Sequence, residues 1–171
     1  MEDKRILILG CSGSGKSTLA KAIHQQTQIE LIHLDQLYWK PNWVEPSKEE
    51  YRQIVKREVQ KNSWVMDGNY GSTFDLRFPR ATHLIFLDFP TAVCMYRILK
   101  RFWQFRGQTR PDMTRNCPER INWQFIHYVL VYKLTRSPGI HKKLAELKEK
   151  QKIFVLNNAR QVAQFIKNLP L

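Results

Sequence analysis

The sequence predicts an α/β protein in which a five-stranded parallel sheet lies between two layers of helices. Short segments rich in Ile, Leu and Val alternate with longer segments whose apolar residues recur at helical spacing, which is typical of parallel strands joined by crossover helices. A glycine-rich segment, "GCSGSGKST", stands between the first apolar segment and the first helical one. The 171 residues suffice for one core, so we expect a single domain over residues 1–171.

The individual elements follow from these periodicities. Strands are predicted at residues 5–9, 29–35, 63–68, 82–88 and 152–157, and helices at 16–26, 46–61, 91–105, 119–135 and 159–168. A further, lysine-rich helix is predicted between a break at 137–139 and the last strand. Ser47 should cap the second of these helices, because Glu50 follows it at capping-box spacing. Two long irregular stretches, residues 36–46 and 106–117, interrupt the pattern, and such loops in a compact domain are usually functional.

The composition argues against several classes of protein. Cys11, Cys94 and Cys117 are far apart in sequence and form no C-x-x-C pair, so we expect no disulfide framework and no zinc site, and a reducing cytoplasm fits best. No apolar run is long enough for a signal peptide or a membrane span. The formal net charge of +13 favours a polyanionic partner, either nucleic acid, an anionic membrane surface or a phosphorylated small molecule.

Residues 10–17 match the pattern G-x-x-x-x-G-K-[ST], in the strand-to-helix context that its mechanism requires. The glycines allow backbone N–H groups to turn toward phosphate oxygens, and the helix N-terminus adds a favourable dipole. Lys16 should reach the β and γ phosphates of ATP, and the Ser17 hydroxyl should bind Mg²⁺. The predicted nucleotide-binding residues are Gly10, Cys11, Ser12, Gly13, Ser14, Gly15, Lys16, Ser17 and Thr18.

Two predicted strands end in an aspartate that could assist the metal ion through water. Asp67 is the better candidate, because Gly68 after it permits close approach of the backbone to a ligand. Asp88 has a structural alternative as a strand-end residue before a helix that Pro90 helps to start. The five histidines show no paired-ligand spacing and are interpreted as structural.

The segment "VMDGNY" resembles the D-G-[FY]-P-R strand end of adenylate kinases, and "LDFPTAVCMYRILKR" resembles the stretch in which their arginines lie four residues apart. This resemblance implies that Arg97 and Arg101 contact the nucleotide and its phosphates. It also implies a mobile lid over about 106–120, in which Arg110 and Arg120 close over the transferring phosphoryl group. Solvated surface charge is the alternative for these arginines. Asp112 and Glu119 are predicted to hold the lid arginines.

The segments "LDQLYWKPNW", "VMDGNYGST" and "RPDM…CPERI" together resemble the DNA topology modulation proteins (FlaR-like), a branch of the adenylate-kinase-like P-loop proteins. The resemblance covers nearly the whole chain. It implies an acceptor-binding segment at about 36–62 and a nucleotide-kinase-like fold.

The chain departs from adenylate kinases after its second strand, where they offer an arginine to AMP and this chain offers Asp35. A carboxylate there suits an acceptor hydroxyl, which it could orient or deprotonate, and shikimate- and gluconate-type kinases use an acidic residue in a similar place. A helix cap or an ion pair is the alternative for Asp35, and aromatic packing is the alternative for "YWKPNW". Arg77 and Arg80 could also meet an acceptor.

The sequence therefore predicts a cytoplasmic, Mg²⁺- and ATP-dependent phosphotransferase acting on a nucleotide or a small hydroxylated acceptor, as a monomer or homodimer. The alternative is an ATP-binding protein associated with DNA. Against the alternative, the sequence has no helix-turn-helix, zinc-finger or RNP-like signature, so charge alone supports weak, non-specific nucleic-acid binding. A switch GTPase is less favoured, because no N-K-x-D motif is present.

Overall fold

The computed structural model describes residues 3–147 and 151–171. Its five strands, all parallel, are β1 (Arg5–Gly10), β2 (Leu31–His33), β3 (Trp64–Asp67), β4 (His83–Leu87) and β5 (Lys152–Leu156), in the spatial order β2-β3-β1-β4-β5. Every residue of β3 and β4 is buried, as is β1 after Arg5, so helices cover both faces of the sheet centre. The predicted three-layer fold is confirmed.

The helices are α1 (Lys16–Thr27), α2 (Leu34–Tyr38), α3 (Lys48–Glu58), α4 (Phe74–Arg77), α5 (Thr91–Gln104), α6 (Trp123–Thr135), α7 (Ser137–Leu147) and α8 (Ala159–Asn168), with short 3₁₀ turns at Pro41–Trp43 and Gly71–Thr73. Helix α1 packs on β1, β2, β3 and α8, and α6 packs between α5 and α7. Ser47 caps α3 as predicted, since its side chain accepts a hydrogen bond from the Glu50 amide. No helix within the described residues has the length and apolarity needed to cross a bilayer.

The second strand is shorter than predicted. It ends at His33, and the chain turns at once into α2, so Asp35 lies in the first turn of a helix rather than at the end of a strand. The reason is visible in the spacing of Leu34, Leu37 and Tyr38, because residues three and four apart share one helical face and all three pack against the core. Asp35 nevertheless stays at the carboxyl edge of the sheet.

Helix α6 begins at Trp123 rather than at the predicted Glu119. Its N-terminus is fixed by Asn122, whose side-chain oxygen accepts a hydrogen bond of 2.8 Å from the Phe125 amide. The break predicted at 137–139 lies earlier, at Arg136. Residues Ser137, Pro138 and Gly139 instead form the first turn of α7. Proline is tolerated in a first turn, where its missing N–H would lack a helical partner.

Candidate active site

The glycine-rich loop joins β1 to α1 at the centre of the sheet. Gly10, Gly13 and Gly15 have φ angles of 150°, 79° and 100°, which disfavour residues with a side chain. A Cβ on Gly13 would lie 2.4 Å from the carbonyl oxygen of Cys94, so the loop can approach α5 only because this position is glycine. Helix α1 has no side-chain cap and no acidic residue in its first turn, and its N-terminus therefore suits an anion.

Asn69 holds the start of this loop. Its amide oxygen accepts a hydrogen bond from the Gly10 N–H at 3.2 Å, and its Nδ2 donates to the Gly10 carbonyl at 2.8 Å and to the Tyr128 hydroxyl at 3.0 Å. The side chain thus pairs with both backbone groups of Gly10. Sequence reasoning assigned Asn69 no role, because a pairing across 59 residues leaves no local signal.

Lys16 lies under the loop, where its Nζ donates to the carbonyls of Gly10 and Cys11 at 3.0 Å each. Burial lowers the pKa of Lys16, while the charges of Asp67 and Asp35 act in the opposite direction. The ammonium group therefore contacts the loop and lies within electrostatic range of two carboxylates.

Ser17 and Asp67, the two residues predicted to serve a metal ion, are in contact. The Ser17 hydroxyl donates to Asp67 Oδ2 at 2.8 Å, and Asp67 is buried at the end of β3. A hydroxyl and one carboxylate suit Mg²⁺, which prefers oxygen ligands and usually keeps water and phosphate oxygens around it. Within the described residues no group of three or more His, Cys, Asp or Glu could hold a metal ion, so phosphate and water oxygens would have to complete the shell.

His33 is a site residue that sequence reasoning missed. Its Nδ1 lies 2.5 Å from Asp67 Oδ1, so the ring and Ser17 occupy opposite oxygens of the same carboxylate. Burial alone would lower the pKa of His33, but its hydrogen bond to Asp67 and the charges of Asp67 and Asp112 raise it. The available signal was its position, because His33 ends β2 and pairs in register with Asp67.

Asp35 accepts a hydrogen bond of 2.6 Å from the Tyr70 hydroxyl. Burial raises the pKa of Asp35, and the Tyr70 hydrogen bond and the positive charges of Lys16 and Arg110 only partly oppose this. A carboxylate with a raised pKa is a better proton acceptor for a hydroxyl than an ordinary surface carboxylate.

Aromatic rings surround this carboxylate. Tyr38 contacts Tyr51 and Tyr70 at centroid distances of 5.0 and 4.7 Å, and Trp39 contacts Trp43 at 5.1 Å. The "YWKPNW" segment therefore packs on itself and on the tyrosines beside Asp35, which is the packing alternative that the sequence left open.

Three of the four predicted arginines contact either the loop or the carboxylate of Glu119. Arg97 Nη1 donates to the Ser14 carbonyl at 3.0 Å. Arg101 and Arg110 share the buried carboxylate of Glu119, at N–O distances of 2.9 and 2.6 Å. Burial lowers the pKa of Arg101, and the neighbouring charge of Arg110 adds to this. Glu119 therefore holds together two cations that would otherwise repel each other.

Asp112 lies in the predicted lid, close to Ser17. It forms an ion pair with Arg110 at 2.9 Å and is buried. Burial would raise the pKa of Asp112, but the charge of Arg110 and the nearby Ser17 hydroxyl lower it. Both acidic residues of the lid hold arginine, as the sequence predicted, and Asp112 also reaches the predicted metal ligand.

Arg120 lies elsewhere. Its exposed guanidinium stacks over the Trp43 ring at 4.3 Å. The predicted lid is docked on the predicted acceptor segment at several further points: Gln36 Nε2 to the Pro111 carbonyl at 3.1 Å, Thr114 Oγ1 to the Trp39 carbonyl at 2.6 Å, and Trp43 Nε1 to the Pro118 carbonyl at 3.2 Å. Mobility of the lid stays a prediction.

Two further candidates from the sequence have structural roles instead. Arg77 was expected to be able to meet an acceptor, but it is fully buried and binds Thr73 Oγ1 and the carbonyls of Gly68, Asn69 and Tyr70. Its guanidinium therefore stabilises the backbone after β3 by hydrogen bonding. Asp88 takes the structural alternative, since it accepts hydrogen bonds from Lys133, Ser137 and His141 and so anchors α6 and α7.

Comparison with known proteins supports the fold. Residues 6–88, just under half of the chain, match the family described as ATPase family associated with various cellular activities (AAA). A search of curated proteins finds no match. Among solved structures, a shikimate kinase from Acinetobacter baumannii in complex with shikimate is similar, with a TM-score of 0.63 and 11% identity over 98% of this chain and 92% of that one. The fold is that of a P-loop kinase.

A sugar kinase from Janibacter sp. HTCC2649, in an unliganded structure, is a further neighbour of this P-loop kinase fold. Its TM-score is 0.55 and its identity 15%, over 97% of this chain and 91% of that one. At such identities the likeness shows the fold. Fold alone does not determine activity, which depends on the residues of the site.

Proposed function

We propose that the chain is an ATP- and Mg²⁺-dependent phosphotransferase that moves the γ-phosphoryl group to a small hydroxylated acceptor or a nucleotide. One observation carries the proposal. Four groups lie together at the carboxyl edge of the sheet, close enough to influence one another's charge: the Lys16 ammonium, the Ser17–Asp67 pair, the Asp35 carboxylate and the lid guanidinium of Arg110. In open α/β sheets this edge is where ligands bind.

The residues divide the work of phosphoryl transfer in a simple way. The loop amides and Lys16 would hold the β and γ phosphates, and Arg97, Arg101 and Arg110 would spread the charge of the group in transfer. Asp35 would accept the proton of the acceptor hydroxyl. Mg²⁺ at Ser17, supported by Asp67 through water, would neutralise phosphate charge.

The finer proposal is that the chain belongs to the FlaR-like branch of the adenylate-kinase-like proteins. It rests on the segments "LDQLYWKPNW", "VMDGNYGST" and "RPDM…CPERI". In this proposal the chain is one domain with an acceptor segment at about 36–62. Arg120, at the end of the lid, would act beside that segment, since its guanidinium stacks on Trp43. The DNA-associated alternative has no support from a described contact.

The test is a panel of nucleotides, nucleosides and hydroxylated metabolites, each incubated with ATP and Mg²⁺ and scored for phosphorylated product and for ADP. Wild type should phosphorylate one class of acceptor. Asp35→Asn should lose at least about 10²-fold in product formation, which is typical of a lost general base, and should keep slow hydrolysis of ATP to water. Lys16→Ala should lose both reactions.

The matched control is Asp75→Asn, which neutralises an exposed carboxylate paired with Arg52. It should behave as wild type. Full-rate phosphorylation of the best acceptor by Asp35→Asn would remove Asp35 from the mechanism. ATP hydrolysis that needs duplex DNA, with no acceptor phosphorylated, would favour the DNA-associated alternative.

A further inference from the structure

Two cysteines that are 83 residues apart in sequence meet beneath the phosphate loop. Cys11 is the second residue of the loop and Cys94 lies in the first turns of α5, and they are exposed by only 4% and 0%. Both are free thiols of the same buried core cluster, on two segments that meet at Gly13. Nothing in the sequence indicated that they pair, because their spacing matches no known cysteine motif.

The backbone around this pair is tightly packed. The loop touches α5 so closely at Gly13 that a Cβ would lie 2.4 Å from the Cys94 carbonyl oxygen and 3.0 Å from Ile98. Arg97, one turn after Cys94, donates to the Ser14 carbonyl at 3.0 Å. The loop and the start of α5 therefore hold one another in place, and the two thiols have little freedom to separate.

The two thiols differ in chemical character. A hydrogen bond from Cys11 lowers the pKa of Cys94, and the positive charges of Lys16, Arg97 and Lys133 lower it further. The hydrogen bond to Cys94 and burial raise the pKa of Cys11, which therefore stays a thiol. A thiolate next to a neutral thiol has the composition of an attacking and a resolving cysteine, since the thiolate is the nucleophile.

We propose that Cys11 and Cys94 are a redox modification site. A small hydroperoxide oxidises the two thiols to a reversible disulfide, and this bond disables the phosphate loop. Both sulfurs are buried, so hydrogen peroxide fits the site better than a bulky disulfide such as oxidised glutathione. This goes beyond the phosphotransferase activity, because formation of the bond depends only on the two cysteines and the oxidant.

The chemistry balances in two steps. The Cys94 thiolate attacks one oxygen of hydrogen peroxide and the O–O bond breaks, which gives the Cys94 sulfenic acid and a hydroxide that takes up a proton to become water. The Cys11 sulfur then attacks Cys94 Sγ, the S–S bond forms as the S–O bond breaks, and the second water leaves with the thiol proton of Cys11. The two thiols are oxidised, the peroxide is reduced, and an added dithiol reverses the change.

The expected effect on the loop follows from bond length. A disulfide holds its sulfurs about 2.0 Å apart, well inside the separation of two thiols in contact, so the loop must move toward α5. The Cys11 carbonyl accepts from Lys16 Nζ at 3.0 Å, and Gly13 has no space to yield. A misplacement of about 1 Å in a phosphate-binding loop can cost about 10²-fold in rate.

The experiment treats the full chain with hydrogen peroxide and measures the intact mass, the cross-linked peptides and the affinity for a fluorescent ATP analogue. We expect a mass lower by two hydrogen atoms, one cross-link joining the peptides of Cys11 and Cys94, and at least a tenfold loss of nucleotide affinity that a dithiol reverses, on the order of the effect of a displaced loop. None of these readouts requires phosphoryl transfer, so they are independent of whether the proposed activity is correct.

Cys94→Ser and Cys94→Ala test the pair, and Cys117→Ser is the control. Cys117 is also buried, but it lies in the lid and contacts the Lys40 carbonyl of the predicted acceptor segment. Each variant is compared with its own untreated form, and thermal unfolding identifies any variant that does not fold. The Cys94 variants should form no cross-link and keep their affinity after peroxide, whereas Cys117→Ser should respond like wild type. A cross-link that includes Cys117, oxidation to sulfinic acid without a cross-link, or a cross-linked protein with unchanged affinity would each overturn the proposal.

Discussion

At the residue scale, the candidate site depends on carboxylates that are held by specific neighbours. Asp35 is raised in pKa by burial, but the Tyr70 hydroxyl donates to it at 2.6 Å and stabilises its charged form. Asp67 is held by Ser17 and His33 on opposite oxygens. The same residue type is therefore prepared for a different role at each position.

Tyr70→Phe should move the acid limb of the pH–rate profile to higher pH. Asp35 must be ionised to accept a proton, so the rate falls as pH drops through its pKa, which already lies above the usual carboxyl value. Loss of the Tyr70 hydrogen bond removes a stabiliser of the carboxylate and raises that pKa further. The measurement is kcat/KM against pH for the best acceptor.

Tyr38→Phe is the matched control for this experiment. Tyr38 packs against Tyr70 at 4.7 Å but donates its hydroxyl to Glu45, so its loss should leave the acid limb unchanged. An equal shift in both variants would attribute the effect to the aromatic cluster rather than to Asp35.

At the element scale, the segment after β3 connects the phosphate loop to the Asp35 carboxylate through hydrogen bonds. Asn69 pairs with Gly10, and the next residue, Tyr70, binds Asp35. Tyr70 has a positive φ of 31°, which a tyrosine adopts only when its surroundings impose it. Arg77 supplies that constraint by binding three successive carbonyls, those of Gly68, Asn69 and Tyr70.

Arg77→Met should lower the free energy of unfolding by about 3 kcal/mol, because it leaves buried carbonyls without a charged donor. Burial already lowers the pKa of Arg77 to about 10, which shows how far this guanidinium is removed from water. Denaturant titration measures the change. Arg80→Met, which removes a partly exposed arginine with a single hydrogen bond to Val59, should cost less than about 1 kcal/mol.

The lid carries a second prediction at this scale. Arg110→Ala should lower kcat by about 10³-fold with little change in ATP affinity, because an arginine in this role acts on charge that develops during transfer. The control is Arg115→Ala, an exposed arginine of the same segment, which should leave kcat unchanged. Steady-state kinetics and nucleotide titration separate the two quantities. A loss below tenfold for Arg110→Ala would show that Arg110 has only a structural role, as an ion-pair partner of Glu119.

At the scale of the whole molecule, the net charge of +13 needs an explanation that the site only partly supplies. Arg97, Arg101 and Arg110 lie at the site, and two of them share one carboxylate. The remaining excess is distributed over the surface, where it favours polyanions without sequence preference. Whether the protein is a monomer or a homodimer stays a prediction.

Duplex DNA should bind weakly, without sequence preference, and with an affinity that falls steeply with salt. Each neutralised phosphate contributes about −0.9 to the slope of log K against log salt concentration. Phosphorylation of a small acceptor should persist at physiological ionic strength, because partly buried charges are screened less than exposed ones. Fluorescence anisotropy of labelled duplexes over a salt series checks the first statement. Nanomolar, sequence-selective binding with DNA-stimulated ATP hydrolysis would contradict it.

The sequence by itself determined the elements whose signals are local. Four such features depend on residues within a few positions of one another, and the structure has them where they were predicted. They are the phosphate loop, the aspartate at the end of β3, the capping box of α3 and the limits of α8. The α/β class followed because alternating apolar segments are most readily buried in a parallel sheet with helices on both faces.

Tertiary structure alone decided the pairings between distant segments. The sheet order brings these segments together, and no periodicity in the sequence records such a contact. The pairs are His33 with Asp67, Asn69 with Gly10, Glu119 with both Arg101 and Arg110, and Cys11 with Cys94. Asp35 shows both sides of this limit. Its residue type indicated the chemistry, but its place in a helix and its raised pKa came from packing of α2 against the core and from burial beside Tyr70.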